Sequence, residues 1–294
     1  MRRSLTIALT ALACASATAS AACPPRAELA ALKAAAWQVS ADSDRNVLAI
    51  AMADCLREAD PVLRDDYGFE ALSAWMRADK LSVPTVQALR ATLQARLDGP
   101  DPQGFARPFA ALVLSEVARV DRLHPYLSPA QRAELTQAAA RYLSGVRDYR
   151  GFDEREGWRH GVAHAADLMM QLALNPALGK AEHEAILAAI ASQVAAKDGH
   201  FYRYGEGERL MAPVFYLARR DTLSVAEWDA WFARLPSDKV ADKPDAPITE
   251  AALALRHNLK GFLYPLYTSL AESADAAQRG RILPFVTRTL KQLN

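Results

Sequence analysis

The sequence predicts an all-α fold, with antiparallel helix pairs stacked into a curved, HEAT-like α-solenoid or α/α superhelix. Three observations carry this expectation. Hydrophobic residues make up 51% of the 294 positions, and much of that share is Ala and Leu, which favour helix over strand. Apolar residues recur at the 3.6-residue period through nearly every segment. The breaks are short and carry Pro, Gly, Asp or Ser, and no run of alternating β-branched residues is long enough to build a sheet.

The first 21 residues read as an export signal. Arg2 and Arg3 form a positive start, Leu5 to Ala13 is a short apolar stretch, and Ala19-Ser20-Ala21 supplies small residues for cleavage. Residues 22–294 then form a single all-helical domain, periplasmic or secreted, and a monomer. Arg26 to Trp37 places Leu29, Leu32 and Ala36 on one face. Asp44 caps a run with Leu48, Met52, Cys55 and Leu56. Pro61 opens a segment carrying Leu63, Tyr67, Leu72, Trp75 and Met76. Ser82 and Pro84 start another, with Val86, Leu89, Leu93 and Leu97, before Gly99-Pro100-Asp101-Pro102 breaks the chain.

Further helices are expected over Phe105 to Val120, Ser128 to Leu143, Gly157 to Leu174, Lys180 to Ala196, Glu206 to Ala218, Ser224 to Leu235 and Ala276 to Leu293. Thr249 to Ser273 reads as one long helix or two short ones. Helices of this length joined by short turns pack as antiparallel pairs. Arg64, Arg107 and Arg150 recur every 43 residues, within the HEAT period, although their flanking residues are unlike.

Charge and cysteine content narrow the function. The formal net charge is +1, and about −1 without Arg2 and Arg3, which gives no reason to expect nucleic acid or an anionic membrane. No later stretch of 18 apolar residues spans a membrane. Of three cysteines, Cys14 leaves with the signal. Cys23 and Cys55 are the right number for one disulfide in an oxidising compartment, worth roughly 3–4 kcal/mol. The alternative is two thiols, with Cys55 simply buried.

The densest polar chemistry lies in GWRHGVAHAAD, residues 157–167. His160, His164 and Asp167 stand at i, i+4 and i+7, within about 60° of one another on a helix. Two imidazoles at this spacing can share a divalent metal such as zinc, with Asp167 adding a carboxylate. Glu206 or Glu208 would be the next ligand, then Glu154 or Glu156, and such a set would polarise water or a carbonyl. Gly161 follows His160, so the H-E-x-x-H protease pattern is absent. Two readings stand beside the metal. Small residues around the cluster let a second helix approach, so His and Asp side chains would pair there with Arg150, Arg209 or backbone groups. Acid–base or ligand-binding use without metal is the other, because His titrates near neutrality.

Trp158 with Phe152 and Tyr149 would form an aromatic wall for a sugar or peptide, or pack as core. Gly151 would permit positive φ beside Arg150. G-x-S-x-G, P-loop, G-x-G-x-x-G, C-x-x-C and EF-hand patterns are absent.

These residues also carry a resemblance. Arg150-Gly151-Phe152, followed by Gly157-Trp158-Arg159-His160 through His164 to Asp167-Leu168-Met169, resembles the hallmark of a bacterial family known only as a domain of unknown function. Pro61 to Asp65, Arg107-Pro108-Phe109, Gly205 to Leu210 and Asn258 to Tyr267 resemble its flanking motifs in the same order. Val146 stands where an acidic residue is expected, which removes one partner for Arg150. The resemblance implies an all-helical, repeat-like fold and no established activity. Two functions follow: a binding or scaffold module for a protein, peptide or small molecule, or a hydrolase-like enzyme. The enzyme would use His160, His164, Asp167 and Glu208, with Arg150, Trp158, Glu206 and Arg209 around them.

Overall fold

A computed structural model describes residues 22–236 and 248–293. The expected export signal lies outside them. The described chain is all-α apart from one short hairpin. Its helices are α1 (Arg26–Ala34), α2 (Asp42–Cys55), α3 (Glu70–Arg77), α4 (Val83–Leu97), α5 (Ala106–Leu123) and α6 (Pro129–Gly145). They continue with α7 (Gly161–Leu174), α8 (Lys180–Gln193), α9 (Glu206–Leu217), α10 (Val225–Phe232), α11 (Glu250–Ala271) and α12 (Ala276–Gln292).

Helix starts follow local chemistry. Ser82, Ser128 and Ser224 accept backbone N–H groups as N-caps, and Ser128 and Ser224 do so in capping boxes with Gln131 and Glu227. Asp44 is not a cap, because α2 begins at Asp42 behind Ala41. α1 ends three residues before Trp37, where Ala36 and Trp37 turn to positive φ. The 249–273 segment is one helix, with Pro265 inside it.

Packing falls into two rows. α3, α5, α7, α9 and α11 contact one another in succession; α2, α4, α6, α8, α10 and α12 form the second row against them. The apolar core runs between the rows. α7 is the centre of the first row, pressed between α5 and α9, and its Gly161, Ala163, Ala165 and Ala166 are buried there. Small side chains make that close approach possible, as the sequence implies. Cys23 and Cys55 are bonded, tying the N-terminal stretch to α2.

Three local features depart from the expectation. Val62–Phe69 is π-helical and runs into α3. Residues 157–160 are not the start of a helix: Gly157–Trp158 pairs with Phe152–Asp153 in an antiparallel two-residue hairpin. Arg64, Arg107 and Arg150 occupy unlike elements, a π-turn, a first helical turn and a loop, so their spacing marks no structural repeat.

The hairpin is anchored by a buried cation. Arg64 is fully buried between the rings of Phe105 and Phe109, 4.0 and 4.8 Å from their centroids. It donates to the carbonyls of Glu58 and Ala59 at the π-segment's entrance and, at 2.6 Å, to Glu156 in the hairpin turn. Gly157 must be glycine there: its φ is +72°, and a Cβ would stand 2.9 Å from Pro61.

Candidate functional site

A cavity of about 580 Å³ opens on the first row of helices. The π-segment contributes Asp65 and Phe69, α3 Arg77, and α5 Phe109 and Glu116. Trp158 and His160 enter from the hairpin, His164 and Asp167 from α7, and Tyr204 and Arg209 from the start of α9. Six segments therefore converge on one opening.

His160 does not lie on the α7 helix face. It is the residue before α7, held at φ +56°, and its backbone N–H donates to the Arg150 carbonyl at 3.1 Å. A non-glycine residue at positive φ costs energy and persists only where its surroundings fix it. Here its ring stacks under Trp158 at 4.7 Å, and Nε2–H donates to the Tyr204 carbonyl at 3.0 Å. That contact fixes the tautomer and leaves Nδ1 as an acceptor. His164 stands 5.6 Å away, ring to ring, and packs edge-on to Phe109. It is only 7% exposed and its Nδ1 has no hydrogen-bond partner among the described residues. Burial pushes both imidazoles below the ordinary histidine range, His164 far below, so both are neutral at pH 7.

Two carboxylates, Asp167 and Asp65, behave in the opposite sense. Burial raises Asp167 even though Arg209 Nη1 donates to both of its oxygens, at 2.7 and 2.6 Å. Asp65 is pushed up to about 6 by burial, which outweighs the adjacent Arg64 at 2.7 Å. Glu116 is buried; one oxygen accepts from Arg77 and the other has no partner among the described residues. The cavity thus holds neutral imidazoles and reluctant carboxylates side by side, a pattern that clusters at functional sites.

Several expectations are corrected by this geometry. Glu206 is buried and accepts the Tyr204 N–H at 2.8 Å; Glu208 faces solvent; neither lines the cavity. Arg150 pairs with Asp148 through Nε and Nη2, so it serves its own loop rather than the histidines. Of the expected aromatic wall, Phe152 does meet Trp158, with ring centroids 5.0 Å apart, whereas Tyr149 stacks on His200 instead. The aromatic edge of the cavity is instead Trp158 with Tyr204, at 5.8 Å and nearly perpendicular. Gly151 does not adopt positive φ. A Cβ there would sit 2.0 Å from the Tyr204 ring, so it is glycine for close approach. Among the described residues no three His, Cys, Asp or Glu side chains gather as a metal-holding group, since Arg209 takes Asp167.

Asp65, Glu116 and Arg77 were not legible as site residues. Glu116 carried a faint signal, as the one acidic residue in the apolar run Phe109 to Val120. Asp65 carried a signal only as the last residue of the Pro61–Asp65 motif, which assigns it no place in a site.

The class defined by this fold and site is an all-helical protein with a polar cavity centred on its middle helix. The chain belongs to DUF2785, a family of proteins of unknown function whose model matches residues 93–268. That match contains the hairpin, α7 and the start of α9, whereas Asp65 and Arg77 precede it. No curated protein and no solved structure matches the chain.

Proposed function

We propose that this protein is an exported binding module whose cavity takes a small polar ligand with a flat apolar face, a saccharide or a short peptide. The carrying observation is Trp158. Its indole is 37% exposed at the cavity edge, while the other four tryptophans are buried. An exposed indole backed by His160 offers a stacking face. The pairs Asp167–Arg209 and Glu116–Arg77 offer acceptors and donors below it. The Cys23–Cys55 bond fits an oxidising compartment, and no helix among the described residues is long and apolar enough to cross a membrane. The two helix rows support a curved α/α superhelix with the cavity on its inner face, and the protein acts as a monomer.

The test is a thermal-shift panel of neutral mono- and disaccharides, amino acids and dipeptides against wild type. A true hit disappears in both Trp158→Ala and Asp167→Asn. A hit retained in both variants places the ligand elsewhere.

A second reading, a hydrolase, is favoured by one specific observation: burial pushes the Asp65 carboxyl up to about 6 inside the same cavity as neutral His164. The carboxylic acid would protonate the leaving oxygen while His164 takes a proton from the attacking water, with His160 and Asp167 positioning them. Turnover of p-nitrophenyl glycosides or esters that falls at least a hundredfold in Asp65→Asn would support it, at the size expected of general acid catalysis. No turnover of either class would remove it.

A further inference from the structure

On the other side of the α7 N-terminus lies a second cavity of about 360 Å³. It shares no lining residue with the cavity under Trp158. Its walls are the end of α4, the α4–α5 connection and first turn of α5, the end of α6 with the α6–α7 connection, and Gly161, the first residue of α7. α7 is 14 residues long, and no side chain caps its N-terminus. The first backbone N–H groups of a helix have no partner within it, and the dipole makes that end positive.

Tyr142 gives an independent observation at the same place. It lines this cavity, is only 8% exposed, and its hydroxyl has no hydrogen-bond partner among the described residues. The hydroxyl stands beside α7's start, since a methyl on Gly161 would lie 3.2 Å from it. The ring is buried while the hydroxyl reaches the cavity, so its free hydrogen-bonding capacity is directed into that space.

Charge completes the picture. Arg107, Arg141 and Arg147 face the cavity, as do Asp98, Asp101 and Asp148. The acids are largely spent. Asp101 accepts four backbone N–H groups at the start of α5, from Gly104 to Arg107. Asp148 is taken by Arg150 through two bonds. Asp98 reaches Arg141 at 3.5 Å. Arg107 and Arg147 have no carboxylate partner among the described residues; they donate only to backbone carbonyls, of Gly99 and of Ser144 and Val146. Arg107, Arg147 and the Tyr142 hydroxyl therefore leave donors facing the cavity, with the exposed Asp98 carboxylate beside Arg141 as its open acceptor.

We propose that this cavity is a second ligand site, specific for an oxyanion, the phosphate of a monoester or a carboxylate. The anion sits between the Tyr142 hydroxyl and the α7 N-terminus, with Arg107 and Arg147 closing over it. The phenol keeps its proton, because burial and the nearby Asp101 push its pKa up, so it donates to the anion.

The experiment is isothermal titration of the mature protein at low ionic strength with inorganic phosphate, glycerol 3-phosphate and succinate as separate probes. Saturable binding of at least one probe is expected at millimolar or lower concentration, weakening as salt is added. Tighter glycerol 3-phosphate assigns a phosphate monoester, and tighter succinate a carboxylate. Tyr142→Phe removes one hydroxyl and weakens the preferred probe by about tenfold, the size of a hydrogen bond to a charged group. Arg147→Gln, at an exposed position with no fold to lose, weakens it several-fold and decides the matter if Tyr142→Phe is unstable. No saturable binding of any probe, or binding unchanged in Arg147→Gln and in folded Tyr142→Phe, overturns the proposal.

Discussion

Asp65 should be a residue that costs the protein stability. Its carboxyl lies against Arg64, yet burial outweighs that attraction and raises the pKa from 3.8 to about 6. An acid whose folded pKa lies above its unfolded value binds protons more readily when folded. Its contribution is favourable below about pH 4 and is lost as pH rises through 6. Over that span the loss is roughly 3 kcal/mol, since one pKa unit corresponds to about 1.4 kcal/mol. Asp65→Asn keeps the shape and removes the charge. Arg64 remains satisfied by three carbonyls and two aromatic faces. Urea denaturation should therefore show the variant more stable than wild type by up to about 3 kcal/mol at pH 8, and equal to it near pH 4. In a thermal melt the pH 8 difference is roughly 5–10 °C. The opposing expectation is that breaking a buried ion pair costs about 3–5 kcal/mol. A variant less stable than wild type at pH 8, or a difference that does not change with pH, refutes the reasoning.

Three further perturbations follow from the same contacts. Reducing Cys23–Cys55, or Cys23→Ser with Cys55→Ser, opens a bridge across 32 positions and should lower the unfolding free energy by about 4 kcal/mol, read by urea titration with and without reductant; an unchanged midpoint contradicts the bond's contribution. His164 has a folded pKa far below its unfolded one, so stability falls as pH drops below about 6.5, where the unfolded chain takes up the proton. His164→Phe should flatten that acid decline between pH 7 and 5, and an unaltered profile means another group drives it. Gly151→Ala drives a methyl into the Tyr204 ring and should destabilise by about 1–3 kcal/mol while weakening ligand hits in the thermal-shift panel; full stability means Tyr204 moves freely.

Helix content was readable because the apolar period and the serine caps act locally. α4, α6 and α10 begin behind the serines that mark them. The hairpin at 152–158 was not readable, because no strand propensity creates it. Arg64, about ninety residues earlier, holds its turn carbonyl. His160 leaves the helix face that its spacing to His164 suggested because its N–H goes to the Arg150 carbonyl and its ring to the Tyr204 carbonyl, partners that helical spacing does not reveal. His160, His164, Asp167, Trp158 and Arg209 were recognised as a group, and all five line one cavity. Asp65 and Glu116 escaped notice because their role depends on the π-turn and on α5 packing against α7, which no local pattern announces. Glu206 and Glu208 stand where a neighbouring helix could supply a further ligand, but the first turn of α9 points Glu206 to the Tyr204 N–H and Glu208 to solvent.

The central claim, that the Trp158 cavity receives the ligand, is tested most directly by acrylamide quenching. Trp158 is the exposed indole of the five, so wild type minus Trp158→Phe isolates its signal. With a saturating hit from the ligand panel, the Trp158 component should lose most of its quenching while the buried indoles stay unaffected. A hit that saturates by calorimetry yet leaves Trp158 quenched as fully as before contradicts the assignment of this cavity as the binding site.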